Sequence, residues 1–309
     1  MPRLNEFELI RRLTRRLPKK KGGVRLGVGD DCAIVRIPKE KDLLVTTDML
    51  IEGCHFRTDW PASPGLRRSG SSMRQIGRKG MLVNLSDIAA MGGVPRFAVI
   101  SVGLPRRLSL KEAEELFRGI QEIARKTGVL IVGGDTNRSR KLILNITLLG
   151  EVEKGRGLTR SGARAGDLIH VTGRLGDADA ALFRRRHHEP PLRLSLGQFL
   201  VKNRIATSCI DVSDGLLGDL GHLLDQSRRG AVLYADRLPG KSNLKSKLSG
   251  GEDYELLFTV PPRVKIPKKI HGVPVPLIGR ILPLKGGRWL VDSKGRKNPW
   301  PKKTGFRHF

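Results

Sequence analysis

The sequence predicts a two-domain protein built of both helices and strands, and three observations carry that expectation. At 309 residues the chain is long enough to bury two hydrophobic cores of ordinary size. β-type runs and helical patterns interleave along it. A stretch of small residues, GLTRSGARAGD, separates two groups of these elements and marks a boundary near residues 152–165.

Taken in order, NEFELIRRLTRRL sets Phe7, Ile10, Leu13 and Leu17 on one helical face, with Asn5 and Glu8 as a capping pair. DLLVTTDML is a β-type run, and KGMLVNLSDIAAMGG reads as a buried helix stopped by Gly92 and Gly93. Gly77 and Gly80 should weaken any earlier start of that helix. AVISVGLP predicts another strand. In SLKEAEELFRGIQEIARKTG, Ser109 and Glu112 form a capping box, apolar residues recur at 113, 116, 117, 120, 123 and 124, and Gly128 is the stop. VLIVGGDT and LILNITLLGEV follow as strands. In the second half, DLIHVTG leads through Gly173 and Gly176 into a short helix. SDGLLGDLGHLLDQS then spaces Leu216, Leu217, Leu220, Leu223 and Leu224 for a buried helical face. This half alternates strand and helix. The tail from 261 to 309 is rich in Lys, Pro and Gly, with short β-type runs such as VPLIGRIL.

Lys and Arg number 58 against 30 Asp plus Glu, a formal net charge of +28, so the chain should attract anions. Cys32, Cys54 and Cys209 lie far apart with no C-x-x-C pair, which argues against a disulfide framework or a zinc knuckle and fits a reducing cytoplasm. Neither a signal-peptide pattern nor a membrane-span-length apolar run is expected.

Against this basic background, ten acidic residues sit in six short segments: Asp30 and Asp31 in GVGDD, Asp48 in TTDML, Asp87 in NLSD, Asp135 in GGDT, Asp211, Asp214 and Asp219 in DVSDGLLGD, and Glu252 and Asp253 in GGED. Most follow Gly or close a β-run, where a scaffold commonly presents functional side chains. Converged carboxylates repel one another unless cations neutralise them. Carboxylates joined by hydroxyls such as Thr46, Thr47 and Ser213 suit Mg²⁺, which bridges protein to phosphates. Metals so held neutralise charge on a transferring phosphoryl group.

Each Asp alone is also a common turn or cap residue: Asp30 and Asp31 suit an Asx-turn, and Ser213 and Asp214 an N-cap and first-turn acid. No P-loop or complete dinucleotide fingerprint occurs. Arg160, in GLTRSGA, is a candidate phosphate partner, although most of the cations must be solvated surface charges. His55, in EGCHF, could face the TTD pocket or be an ordinary packed histidine. RRLTRRLPKKK and RRRHH are basic enough for nucleic acid, but aromatics make up only 5% of the chain, which leaves few stacking platforms.

The ordered segments GVGDDCAIV, TTDMLIEGCHF, LVNLSDIAAMGG, GGDT, LTRSGA, GDLIHVTG, DVSDGLLGDL, LSGGEDYELLFTV and GFRHF together resemble the thiamine-monophosphate kinase family over nearly the whole chain. Relatives of the same architecture (aminoimidazole ribonucleotide synthetase, selenophosphate synthetase and a hydrogenase maturation dehydratase) differ in the DVSDGL and GGEDYEL segments. The resemblance implies an α+β N-terminal domain (1–152) whose mixed sheet pairs in a homodimer, then an α/β C-terminal domain (153–309) completing the cleft. It implies ATP-dependent phosphorylation of thiamine monophosphate to thiamine diphosphate by direct in-line transfer, assisted by several Mg²⁺ ions and without a phosphoenzyme. The implied metal ligands are Asp31, Thr46, Thr47, Asp48, Asp87, Asp135, Asp211 and Asp214; the implied ATP contacts are Gly134, Asp135, Arg160 and Ser213. His55 and Glu252 take substrate roles.

Three departures stand out. Lys303 occupies the position where the family tends to carry a substrate-stacking aromatic, with Trp300 nearby; the segment between Phe56 and Leu82 is longer than expected; and +28 exceeds what a small anionic substrate requires. Two other readings compete: an ATP-consuming synthetase of the same architecture, and a basic nucleic-acid binder, against which the costly acidic segments argue.

Overall fold

The computed structural model describes residues 24–26, 30–36, 40–58, 71–183 and 187–301. The helix expected over 5–17, Lys303 and the GFRHF terminus lie outside these residues.

The first sheet contains β1 (Val24–Leu26), β2 (Ala33–Arg36), β3 (Lys41–Ile51), β4 (Val94–Leu104), β5 (Leu130–Arg138) and β6 (Ile143–Glu153), in the order β1-β2-β3-β6-β4-β5. Every neighbouring pair is antiparallel except β4–β5, so the sheet is mixed. One face is covered by α1 (Met73–Ala90) and α2 (Leu110–Thr127). α2 begins at the Ser109–Glu112 capping box and ends at Gly128, whose φ of 72° is the left-handed stop read from its sequence.

α1 departs from expectation because it starts at Met73, upstream of both glycines. Ser72 and Gln75 cap it reciprocally, with N···O distances of 3.2 and 2.9 Å. The glycines that weaken it by propensity are required by packing. A Cβ on Gly77 would lie 2.0 Å from the Leu116 carbonyl oxygen, and one on Gly119 would lie 2.0 Å from that of Arg74. The α1 and α2 backbones therefore meet at a glycine-to-glycine crossing. Ile76, Met81, Leu85 and Ile88 are fully buried along α1, which also packs on elements of the second half.

The second half supplies β7 (Leu168–Val171), α3 (Asp177–Phe183), α4 (Leu194–Lys202), β8 (Ser208–Asp211), α5 (Leu216–Ser227), β9 (Arg229–Tyr234), α6 (Leu244–Ser249), β10 (Leu256–Val260), β11 (Lys269–Ile270), β12 (Val273–Pro274), β13 (Leu277–Pro283), β14 (Arg288–Val291) and β15 (Lys297–Pro299). Its main sheet runs β15-β14-β9-β13-β7-β10-β8, antiparallel apart from β9–β14, while β11 and β12 form a separate ribbon. All five leucines predicted for the buried face of α5 are buried. α1 touches both α4 and β8, which places the seam between the two sheets beside its Asn84–Asp87 turn.

Candidate active site

Strand alternation decides which side chains of TTDML face α1. Leu44, Thr46 and Leu50 are buried on that face of β3, and Thr46 Oγ1 donates to the Asp87 carboxylate of α1. Asn84, one turn earlier, accepts from the Asp48 amide at 3.1 Å while its own amide donates to the Gly80 carbonyl at 3.0 Å. Ser86 donates to Asp211, the last residue of β8, at 2.6 Å. Asp31, from the turn before β2, completes the group. Asp31, Asp87 and Asp211 offer ligand oxygens that all lie within 4.8 Å of one another, although they come from three separate elements.

Among the described residues, one cation faces this cluster. The Arg160 guanidinium lies 2.6 Å from Asp31, and its backbone N–H donates to Asp30 at 3.1 Å. Arg160, expected to meet phosphate, here offsets carboxylate charge, and those carboxylates favour its protonated form. The offset is incomplete. Burial, joined by repulsion from Asp31, pushes Asp211 up to about 8. Burial with repulsion from Asp31 and Asp214 raises Asp48 to about 6, and burial with the Asp31 charge raises Asp30 to about 7. Burial and the charges of Asp48, Asp211 and Asp31 drive Asp87 well up. Asp31 Oδ2 is buried without a hydrogen-bond partner. Closely spaced oxygens, unsatisfied and mutually repelling, fit a hard divalent cation.

DVSDG and GGEDYE are zipped together beyond the ends of β8 and β10. Val212 donates to the Glu255 carbonyl at 2.8 Å, while Tyr254 and Glu252 donate to the carbonyls of Val212 and Ser213, each at 2.7 Å. Glu252 and Tyr254 adopt positive φ of 66° and 50°, a conformation that costs non-glycine residues energy and commonly marks functional loops. Ser213 and Asp214 do not cap α5. Gly215 is the N-cap position, and the buried Asp219 carboxylate reaches back to accept the amides of Asp214 and Gly215, both at 3.0 Å. The caps are thus supplied from inside the helix, leaving Ser213 and Asp214 facing a cavity.

That cavity has a volume of about 730 Å³, and its wall includes Asp48, His55, Lys79, Ser213, Asp214 and Glu252. Five expected site residues thus share one space. Lys79, which the sequence reading missed, is the buried cation among them, hydrogen-bonded to Glu252 at 2.7 Å and to the His55 carbonyl at 2.8 Å. As one of 58 cationic residues it had no distinguishing signal except its place at the head of a run that reads as a buried helix.

Other expected residues stand elsewhere. Thr47 lies on the opposite face of β3 from Thr46, bonded to Thr147 Oγ1 at 3.1 Å and the Ile146 carbonyl at 3.2 Å, so its hydroxyl is not brought to the cluster. Gly134 and Asp135 sit on the edge strand β5. Asp48, Ile146, Ile100 and Gly134 form one cross-strand row, three spacings of about 4.8 Å each, so roughly 14 Å separates its ends. The Asp135 carboxylate engages Thr136 and Asn137 locally. Trp300 packs beside the second core with Arg288 over its ring at 5.8 Å and is not part of the cavity wall.

Comparison with known proteins places this geometry. Residues 29–152 match the family model described as AIR synthase related protein, N-terminal domain. A thiamine-monophosphate kinase from Buchnera aphidicola subsp. Acyrthosiphon pisum is 36% identical, with 98% of each chain covered. The chain belongs to the thiamine-monophosphate kinase family. Two solved structures of that family agree in fold. AaThiL complexed with AMPPCP and TMP superposes with a TM-score of 0.79 at 31% identity, covering 100% of this chain and 99% of that one. Thiamine monophosphate kinase from Aquifex aeolicus gives 0.74 at 30% identity, covering 96% and 100%. The match to this family runs over the full length of the chain and so spans both sheets.

Proposed function

We propose that this chain transfers the γ-phosphoryl group of ATP to the phosphate of thiamine monophosphate, giving thiamine diphosphate and ADP. The observation that carries this reading is the convergence of Asp31, Asp87 and Asp211 within 4.8 Å beside a cavity walled by Asp48, Ser213 and Asp214. Mg²⁺ held by Asp31, Thr46, Asp48, Asp87, Asp211 and Asp214 would neutralise phosphate charge there.

The chain's own groups supply position. Asn84 fixes the Asp48 backbone, Ser86 and Arg160 orient Asp211 and Asp31, and Asp219 holds the DVSDG turn so that Ser213 and Asp214 face the cavity. His55 and Glu252 line the same space and are assigned to the thiamine moiety, as is Lys303. Transfer between two phosphates in line requires no side-chain nucleophile, so no phosphoenzyme forms.

Gly134 and Asp135 are assigned to ATP or its metal in a homodimer. β5 is an edge strand, Leu130 and Val132 on it are 62% and 58% exposed, and Phe97 on β4 is 42% exposed. An apolar edge that no described strand covers is where a second copy pairs, which brings Asp135 to the interface. The absence of disulfides among Cys32, Cys54 and Cys209 suits a cytoplasmic location.

The test is purified protein with ATP, Mg²⁺ and thiamine monophosphate, following thiamine diphosphate with and without chelator. Metal-dependent product is expected, and Asp48→Asn should abolish it while leaving the fold intact. An active Asp48→Asn enzyme would overturn the metal assignment.

A further inference from the structure

Lys79 is the feature of the cavity that the reaction as outlined leaves without a task. It lies on α1, its side chain 5% exposed, while its partner Glu252 is 32% exposed on the cavity wall. A buried ammonium is expensive, and an apolar side chain of similar volume would serve stability as well or better. Its surroundings show what the charge does. Nζ donates to Glu252 Oε1 at 2.7 Å and to the His55 carbonyl at 2.8 Å, so one cation ties together two segments from opposite halves of the chain.

Both segments need the tie. Glu252 is held at φ 66° in a loop with a second positive φ at Tyr254, and nothing else among the described residues hydrogen-bonds its carboxylate. The His55 turn closes through its ring, since Nδ1 accepts from the Ile51 amide at 3.0 Å, leaving the His55 carbonyl for Lys79. Two titratable neighbours on the same wall add no charge of their own. Burial, reinforced by the Lys79 ammonium, pushes His187 down to about 4 and His188 down as well, so both imidazoles on this wall are neutral at pH 7. Glu252 is the carboxylate in contact with Lys79, which engages Oε1 and leaves Oε2 with no hydrogen bond among the described residues, on a side chain that is 32% exposed.

Building on the reading that this cavity receives thiamine monophosphate, we propose that Lys79 is a positioning residue. It locks Glu252 and the His55 turn into the orientation in which Glu252 Oε2 anchors the cationic heterocyclic part of the substrate. Lys79 acts through Glu252 and touches neither the transferred phosphoryl group nor ATP. The halves of the chain are thereby coupled at the substrate end of the cavity, as Ser86 and Asp211 couple them at the carboxylate end.

The experiment is a double-mutant cycle on the full chain with Lys79→Met, Glu252→Ala and the pair, reading kcat, KM for thiamine monophosphate, KM for ATP and the melting temperature. Lys79→Met is expected to raise KM for thiamine monophosphate tenfold or more, with KM for ATP unchanged within twofold. In the Glu252→Ala background it should add nothing to that KM. The double variant should melt above Glu252→Ala, because it no longer strands a buried cation. Ethylammonium ion should restore part of the lost affinity in Lys79→Ala and none in Glu252→Ala. Where Lys79→Met fails to fold, Lys79→Gln, which keeps a neutral donor toward Glu252, carries the same comparison. Additive effects on KM, or equal losses for both substrates, overturn the positioning role while leaving the kinase activity standing. Wild-type protein that neither binds nor phosphorylates thiamine monophosphate overturns the activity and the positioning role together.

Discussion

The Ser86 hydroxyl donates to the Asp211 carboxylate at 2.6 Å, joining the last turn of α1 to the end of β8 across the seam between the two sheets. This bond favours the ionised form of a carboxylate that burial and Asp31 push toward protonation. Ser86→Ala removes the donor and lets Asp211 hold its proton more tightly. Groups that orient metal ligands typically change affinity by about 10-fold or more when lost. We therefore expect the Mg²⁺ midpoint of activation to rise roughly tenfold in Ser86→Ala. A Mg²⁺ titration of initial rates checks it, and an unchanged midpoint would remove Asp211 from the ligand set.

Asp87 sits among Asp48, Asp211 and Asp31 with Thr46 as its hydrogen-bond donor. Without metal, these charges oppose folding, so replacing one with an isosteric amide relieves repulsion. Asp87→Asn should melt higher than wild type in chelator, yet lose the rise in melting temperature that Mg²⁺ gives the wild type and about two to three orders of magnitude in kcat, the scale of losing a charge-stabilising group. Thermal melts with and without Mg²⁺ test this. A variant that still gains stability from Mg²⁺ would show that the ion binds elsewhere.

How far the sequence reveals these features depends on the range of the interaction involved. α2 was legible to its ends because Ser109, Glu112 and Gly128 are local signals acting within one turn. The start of α1 was not, since helix propensity argues against Gly77 and Gly80 while the crossing that demands a small residue involves Gly119, far away in sequence. The same divide runs through the site. Asp31, Asp87 and Asp211 stand out as acidic residues in short turns of a basic chain, and their convergence matches the expectation that separate segments share one space. Thr46 and Thr47 are indistinguishable until strand register sends one to α1 and the other to the far face. Lys79 is invisible for the opposite reason, because its meaning lies in a partner 173 residues away.

The α1–α2 crossing yields a stability prediction of opposite sign at two glycines. Gly77→Ala places a Cβ 2.0 Å from the Leu116 carbonyl oxygen, a backbone atom that cannot move without separating the helices. Overpacking of this kind costs about 1–3 kcal/mol or more. Gly221, inside α5, has only the end of the Arg288 side chain near its Cβ position, at 3.6 Å. There Gly221→Ala should stabilise by about 0.5–1 kcal/mol, the helix-propensity difference. Urea denaturation of the two variants gives both signs, and a neutral Gly77→Ala would mean that the helices stand farther apart than described.

Asp253 lends itself to a pH experiment apart from the carboxylate cluster. Its carboxylate accepts the Gly176 amide at 2.6 Å and the Ala178 amide at 3.3 Å, which anchors the start of α3 to the GGEDYE loop. Burial raises it from 3.8 to about 7 despite those bonds, with the charges of Glu255 and Asp177 adding to the rise. The unfolded chain releases this proton near the ordinary value and the folded chain near 7, so between those values the folded state holds the extra proton. Stability from this group is therefore present at pH 4 and is lost as pH rises toward 7, after which it is flat. At about 1.4 kcal/mol per unit, the loss is on the order of 3–4 kcal/mol. Asp253→Asn keeps one acceptor for the Gly176 amide and cannot titrate. It should pay roughly 1 kcal/mol for the weakened bond at every pH, yet lose less stability than wild type between pH 5 and 8. Urea midpoints at those two pH values decide the matter: parallel losses in both proteins would mean that Asp253 is ionised throughout and that its hydrogen bonds outweigh its burial.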